Sequence, residues 1–369
     1  VPFNVGAAVQ LRQLELQDVR VFAQARLDVE PNVLTVLIGP NGCGKTTILE
    51  AAAFLGSQRS FRTAARETMV RSGAERAIIR ALCERETRPL VIEAEIDAGG
   101  PTRTLVNHRR ASARAELADL VPTTVFSPED LNVVQGPPAR RREVLDAALR
   151  LVDRRAAEDL DTMERVLRQR AALLRQATGK LTPEVATTLD VWDERLVRAG
   201  SGVSAARRAL LEELTPVVED AYAALTTSPQ ARGPIAMAYR PGWEGELAEA
   251  LLAHRTDDVR RGVSTTGPQR DEVLISVEGR DTRTRASQGE QRTVALALRL
   301  AVHRVVTARR GSAPLLLLDD VFSELDGDRC RALVRNLPEG QTLLTTAGTL
   351  PDAIRVSAVV DVGALGSRG

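Results

Sequence analysis

Lysine is nearly missing from this chain. Only Lys45 and Lys180 occur among 50 Lys and Arg residues, so arginine meets almost every other need for positive charge. A lysine kept in that background marks a place where a compact ammonium, not a planar guanidinium, is required. Aromatic residues are scarce too, at 3%, which argues against a stacking platform for single-stranded nucleic acid. Three cysteines, Cys43, Cys83 and Cys330, are too few and too scattered for a disulfide framework or a metal cage. They read as incidental thiols in a reducing compartment. No apolar run approaches a membrane span, and the N-terminus has no basic region followed by an apolar stretch. A cytoplasmic location is expected, with an initiator methionine removed or omitted before Val1. The net charge of +1 does not announce nucleic-acid binding, so any such surface must come from local clustering. What remains is ordinary: 369 residues, 43% hydrophobic and 27% charged, imply two or three domains with a real core.

The retained lysine sits in the stretch that organises the rest. An apolar run from Val33 to Ile38 enters Gly39-Pro40-Asn41-Gly42-Cys43-Gly44-Lys45-Thr46-Thr47, and the helix-forming residues Ile48 to Leu55 follow at once. This is G-x-x-x-x-G-K-[ST] in the context of strand, glycine turn and helix. The glycines let successive N–H groups turn inward on phosphate oxygens, and the helix N-terminus adds its positive end. Lys45 is expected to reach the β and γ phosphates of a nucleoside triphosphate, and the Thr46 hydroxyl to ligate Mg²⁺.

Taken in order, Leu11 to Leu16 and Phe22 to Val29 alternate as two strands leading to that loop. After the loop helix comes Gln58-Arg59-Ser60-Phe61-Arg62-Thr63-Ala64-Ala65-Arg66, arginine-rich and close in sequence to the phosphates. Ala77–Cys83, Leu90–Ile96 and Arg103–Val106 read as an antiparallel meander, with turn signals at Arg88-Pro89 and at Asp97 to Pro101. From Arg140 the spacing turns helical. Leu149, Val152, Ala156, Leu160, Met163, Leu167, Ala171 and Leu174 predict one stripe along a long helix, broken at Thr178 to Pro183. A second helix carries Val185, Leu189, Trp192, Leu196 and Val203 toward Leu214. The pair reads either as an antiparallel arm or as a helical subdomain with its own core. Strand character returns at Met237 to Tyr239 and at Val273 to Val277.

Two further pieces belong with the loop. Leu315-Leu316-Leu317-Leu318-Asp319-Asp320 suits a strand buried on both faces and ending in two acids. Asp319 would orient the Mg²⁺ shell, and Asp320 would lie where an attacking water needs a base or positioner. Ser287-Gln288-Gly289-Glu290-Gln291-Arg292 precedes an amphipathic helix, Thr293 to Arg304, and reads either as an anion site or as an ordinary helix cap.

Gly39 to Thr47, Ser287 to Gln291, Leu315 to Asp320 and Ser323-Glu324-Leu325-Asp326 resemble the Walker A, signature, Walker B and D-loop motifs of ABC-type ATPases. Their order resembles the heads of SMC-like DNA-maintenance proteins. Ser127 to Leu131, Gln135-Gly136-Pro137-Pro138 with Arg141-Arg142, Thr266 to Asp271, and Arg59 to Thr63 are similar to segments of the RecF family. The likeness covers nearly the whole chain. It implies an α/β ABC-type P-loop ATPase head, a mixed sheet with helices plus an antiparallel β subdomain, carrying an inserted helical arm. The expected division is 1–125 for the first part of the head, 126–261 for the arm, and 262–369 for the rest of the head. The resemblance also implies a homodimer formed on ATP binding. In it Ser287, Gly289 and Gln291 of one copy would act in trans on ATP and Mg²⁺ held by the other copy's Lys45, Thr46 and Asp319, with Asp320 catalytic. Implied partners are double-stranded and gapped or single-stranded DNA and RecR-like and RecO-like mediator proteins. The implied roles are recombinational repair, replication restart, help in loading recombinase at gaps, SOS induction, and weak DNA-dependent ATP hydrolysis.

The sequence departs from the family pattern in two places. No histidine stands near Thr345-Thr346-Ala347-Gly348-Thr349, where the switch histidine is expected, and the Mg²⁺-linking glutamine has no sure match, Thr124 and Gln135 being the nearest. Clusters at Arg59, Arg62 and Arg66, at Arg109, Arg110 and Arg114, and at Arg140 to Arg142 suit backbone contacts that position DNA without reading it. A transporter energy subunit and a structural chromosome-organising ATPase are the competing readings. The stretch between Lys45 and Asp319 suits a short arm better than a long coiled coil, and no nuclease-type acidic domain is expected after Asp319.

Overall fold

The structure is a computed structural model and describes residues 9–62, 65–111, 114–226, 233–323, 325–347, 354 and 356–368. The expected positions Thr63, Glu324, Gly348 and Thr349 lie outside the described residues. The chain opens with the hairpin β1 (Gln10–Val19) and β2 (Phe22–Asp28), then runs through β3 (Leu34–Ile38) into α1 (Lys45–Ser57). The meander β4 (Arg76–Arg85), β5 (Arg88–Asp97), β6 (Arg103–Val106) and β7 (Arg109–Arg110) follows, then α2 (Arg114–Leu120) and β8 (Thr123–Phe126). Next come α3 (Leu131–Gln135), α4 (Pro138–Val152), α5 (Arg154–Gln176), α6 (Pro183–Leu225), β9 (Ile235–Arg240) and α7 (Leu247–Arg261). The remainder is β10 (Glu272–Val277), β11 (Arg280–Asp281), α8 (Thr282–Arg285), α9 (Gln288–Arg310), β12 (Leu315–Asp319), α10 (Gly327–Asn336), β13 (Thr342–Thr346), β14 (Ala358–Asp361) and β15 (Gly366–Arg368).

Contacts gather the chain into two compact units. The first holds Val1–Asp130, Asp220–Arg232 and Thr293–Gly369, and the second holds Leu131–Glu219 and Gly233–Arg292. These cuts differ from the expected 126–261 arm. Residues 262–292 fall in the second unit because β10 pairs along its length with β9.

In the first unit a parallel sheet runs in the order β14-β3-β13-β12-β8, and an antiparallel sheet runs β15-β2-β1-β4-β5-β6-β7. Helix α1 lies between them, touching β12, β13 and β8 on one side and β1, β4 and β5 on the other. Its composition explains this. Ile48, Leu49, Ala51, Ala52, Ala53, Phe54 and Leu55 are apolar all round and almost wholly buried, as a helix covered on both faces must be. β12 is buried at every position between β13 and β8, as its all-apolar run predicts.

The β4–β5 turn corrects the expectation of a turn at Arg88-Pro89. Glu86 and Thr87 make it, with φ of 50° and 65°, while Pro89 already pairs with Glu84 in the ladder. A two-residue hairpin makes that pair the non-hydrogen-bonded one, so the missing proline N–H costs nothing. In the second unit the single long helix expected from Arg140 is two helices. Asp153 leaves the helical region at φ −141°, and its carboxylate accepts the Ala156 N–H at 2.9 Å, capping α5 as α4 ends. Helix α6 runs past Leu214 and through Pro216 to Leu225. Buried Arg170 on α5 donates to Asp193 of α6 at 2.8 Å and to Asp258 of α7 at 2.7 Å, joining three helices.

Candidate nucleotide site

β3 ends at Ile38 and the chain turns through residues 39–44 into α1. Gly44 is the N-cap at φ 101°, and no side chain caps the helix. A Cβ on Gly44 would stand 2.4 Å from Phe22 Cζ, so only glycine fits. The first-turn N–H groups are therefore left to an anion. Pro40, Asn41 and Gly42 form the exposed rim of the loop, and Cys43 is buried beneath it with its N–H on Pro40 O at 3.2 Å. Lys45 is buried and folds back over the loop, donating from Nζ to Gly39 O at 2.7 Å and Pro40 O at 3.0 Å. A cation held by backbone carbonyls at the mouth of an uncapped helix fits the phosphates of a nucleotide.

The strand order places β13 between β3 and β12, which brings three hydroxyl and carboxylate groups together. The Thr46 hydroxyl donates to Asp319 Oδ1 at 2.9 Å, and the Thr345 hydroxyl donates to the same oxygen at 2.8 Å. Burial pushes the Asp319 carboxyl above its ordinary value, opposed by the bonds from Thr345 and Thr46. Asp320 takes the left-handed conformation at φ 48°, and its N–H lies 2.9 Å from Thr345 Oγ1. Its Oδ1 is buried without a partner. Buried acceptors are rarely left so. A hard oxygen donor set with one acceptor still open fits Mg²⁺ and a water beside it.

In the sequence Thr345 stands out only as part of the stretch where the switch histidine is expected. Its hydroxyl touches both acids, donating to Asp319 Oδ1 and accepting the Asp320 N–H. Thr346 is buried at the end of the same strand, and Ala347 is exposed. Glu50 was missed too. It is fully buried on α1, pairs with Arg20 through both oxygens at 2.6 and 2.7 Å, and accepts the Ser60 hydroxyl. That pins the arginine-rich segment beside the loop helix. Phe61 packs on the core, and Arg62, whose N–H donates to Ser60 Oγ at 3.0 Å, is among the charges acting on Asp319.

In the second unit, Ser287 and Glu290 form a capping box at the start of α9. Glu290 N–H lies 3.2 Å from Ser287 Oγ, and Ser287 N–H lies 3.1 Å from Glu290 Oε2. The helix begins at Gln288, five residues before the expected Thr293, because this cap starts it. Gln291 differs from the polar side chain expected to face a nucleotide. It is 5% exposed, donating to Thr282 O at 2.9 Å and accepting from Gln135 Nε2 at 2.6 Å. Ser287 is exposed and Gly289 half-buried. Of the two candidates for the Mg²⁺-linking glutamine, Gln135 is held by Gln291. Thr124 is buried in β8 at 2.6 Å from His303 Nδ1. The third arginine cluster makes bonds within the second unit. Arg140 pairs with Glu143 at 2.8 Å, Arg141 is buried on Glu272 at 2.9 Å, and Arg142 donates to Asp271 O. Arg66 likewise holds Gly100 O at 2.8 Å, whereas Arg109 and Arg110 form the exposed strand β7.

A parallel sheet with a phosphate-type loop on one strand, paired acids on another, and a Ser-Gln-Gly-Glu-Gln turn opening a helix defines the head of an ABC-type ATPase. The profile of the RecF/RecN/SMC N terminal domain matches residues 10–346. The chain belongs to this family and, within it, to the RecF proteins. It is 37% identical to the DNA replication and repair protein RecF of Streptomyces avermitilis, over 95% of this chain and 96% of that one. Against the RecF of Beutenbergia cavernae it is 36% identical, over 92% and 94%. Among solved structures it is similar to the recombination mediator protein RecF-ATP of the RecFOR pathway, at TM-score 0.86, 25% identity and 97% of each chain. A RecF-ATPrS structure gives TM-score 0.84, 25% identity and 98% of each chain. An SMC head bound to a winged-helix domain of ScpA shares the fold, at TM-score 0.53 and 17% identity.

Proposed function

We propose that this protein is an ATP-dependent DNA-binding protein of recombinational repair and replication restart, built as a clamp that two copies close on ATP. The single observation that carries the nucleotide half is the meeting of Thr46, Asp319 and Thr345 beside the uncapped start of α1. There Gly39 to Thr47 would wrap the triphosphate, Lys45 would leave its carbonyls for the β and γ phosphates, and Thr46 and Asp319 would hold Mg²⁺. Asp320, with its open Oδ1, would position a water for slow hydrolysis. Ser287 and Gly289 of the second copy would close over the γ-phosphate. Gln291 would serve from within its own unit, since its amide is turned inward.

Anything that binds the closed dimer better than the open chain drives closure, so ATP binding and DNA grip are linked quantities. The candidate DNA-facing cations are Arg109 and Arg110, whose contact with phosphates would be independent of sequence. Membership of the RecF proteins favours this reading over a transporter subunit. RecR-like and RecO-like mediators and recombinase loading at gaps belong to the same proposal. Fluorescence anisotropy on duplex and gapped DNA, with and without ATP over a salt series, tests it. Affinity should rise with ATP and fall steeply with salt. Affinity unchanged by ATP and insensitive to salt would overturn it.

A further inference from the structure

The Thr266-Gly267-Pro268-Gln269-Arg270-Asp271 segment has no role in the nucleotide site, yet its last residue is among the most heavily bonded in the second unit. The Asp271 carboxylate is fully buried and accepts four donors: Ser204 Oγ at 2.9 Å, Arg207 Nη1 at 3.1 Å, the Tyr239 hydroxyl, and the Gly242 N–H at 2.8 Å. Ser204 and Arg207 lie in the middle of α6, and Tyr239 lies on β9. Arg207 is itself clamped by Asp146 of α4 at 2.7 and 2.8 Å and donates to Pro268 O at 2.8 Å. So one carboxylate ties α6, α4 and β9 to the first residue before β10.

From there bonded groups run without a gap to the turn at Ser287. Ile275 O of β10 accepts the Thr282 hydroxyl at 2.9 Å, and Thr282 O accepts Gln291 Nε2 at 2.9 Å. A second route leaves Glu272, the next residue after Asp271. Arg141 holds Glu272 at 2.9 Å and Val133 O at 2.9 Å, and Gln135, two residues on, donates to Gln291 at 2.6 Å. The two routes close a ring on the buried Gln291 amide, whose Nε2 also reaches Arg283 O at 3.3 Å.

We propose that Asp271, Gln135 and Gln291 are positioning residues, forming one bonded frame that sets the Ser287 turn from the middle of α6. A shift of α6 along its axis would reach the turn through this frame, which is how the long helix could bias closure of the dimer. The proposal rests on the reading that this turn meets the second copy's nucleotide. Its functional consequence is a split. Breaking the frame should leave ATP binding at the Lys45 loop intact and weaken the ATP-driven assembly of two copies.

The test uses the full chain with Gln291→Met, near-isosteric, and Tyr239→Phe, which removes one donor to Asp271 and keeps the ring. Asp271→Asn is not needed, since it would leave Arg207 buried beside a lost charge. Amide hydrogen exchange is followed in two stretches, residues 287–292 and α1, with affinity for a fluorescent ATP analogue and sedimentation with ATP alongside. Each lost bond changes local opening by about fivefold, from the roughly 1 kcal/mol of a typical hydrogen bond. Gln291→Met should therefore speed exchange at 287–292 about five- to twenty-fold, and Tyr239→Phe should speed the same stretch about two- to five-fold. In both, α1 exchange and analogue affinity should stay within twofold, and dimerisation should weaken. Unchanged exchange at 287–292 in either variant overturns the frame. So does equal acceleration of every amide, which would mark a merely structural role. Should wild-type chains fail to dimerise with ATP, the clamp reading fails, and the exchange data still decide the frame.

Discussion

Replacing Thr345 with valine removes one oxygen and almost no volume from the centre of the site. Valine suits a buried strand position as well as threonine does, so β13 should keep its register. What is lost is the hydroxyl that donates to Asp319 at 2.8 Å and sits 2.9 Å from the Asp320 N–H. The Asp320 N–H retains Thr345 O at 3.2 Å, so no donor is orphaned. Asp319 keeps Thr46, at 2.9 Å, and can rotate. A hydrogen bond to a charged group contributes about 1.5–3 kcal/mol, equivalent to roughly 10- to 100-fold. Loss of an outer-shell partner typically lowers metal affinity by about the same factor. The assay is a Mg²⁺ titration of nucleotide-driven association at fixed ATP, beside nucleotide affinity measured in EDTA. For Thr345→Val the Mg²⁺ midpoint should rise by about 10- to 100-fold while affinity in EDTA stays within about twofold. A midpoint equal to wild type would refute the assignment of Thr345 as the group that aims Asp319.

Gly44→Ala would put a Cβ 2.4 Å from Phe22 Cζ at φ 101°, so thermal unfolding should show a loss of about 2–3 kcal/mol and nucleotide binding should vanish. A wild-type melting curve would contradict that geometry. Glu50→Gln leaves Arg20 beside a buried neutral amide, and urea unfolding should report a loss of about 3 kcal/mol. Equal midpoints would refute it. His303 is 1% exposed, and burial lowers its pKa from 6.5 to about 4. The unfolded chain therefore binds more protons between those values, so stability is full above about pH 6.5 and falls as pH drops toward 4, by up to about 3 kcal/mol. His303→Gln should flatten this slope in urea titrations at pH 7.5 and 5, and an unchanged slope would place the titration elsewhere.

Much of the site could be read from the chain because its chemistry is local. The loop needs glycines beside one lysine, and the acid strand needs an unbroken apolar run, so Gly39 to Thr47 and Leu315 to Asp320 announce themselves. Thr345 did not, because its partner Asp319 is distant in sequence and a threonine in a strand is unremarkable by type. Glu50 was hidden for a related reason. A charged residue on a helix reads as the solvent face, and only the second sheet, closing over α1, turns that face inward. The break at Asp153 was legible in principle as a helix cap, but the apolar stripe continues across it and masks the stop. The pairing of β15 with β2 joins the two ends of the chain and leaves no local trace. Gln291 looked available because a signature resemblance carries a residue type without saying which way the amide points.

Sedimentation velocity in ATP and Mg²⁺ with gapped DNA, on wild type and on Lys45→Met, bears most directly on the clamp. Wild-type chains should convert from monomer to dimer when ATP is added, while Lys45→Met chains should stay monomeric at every ATP concentration. Wild-type chains that remain monomeric with ATP and DNA would contradict it, as would Lys45→Met chains that dimerise like wild type.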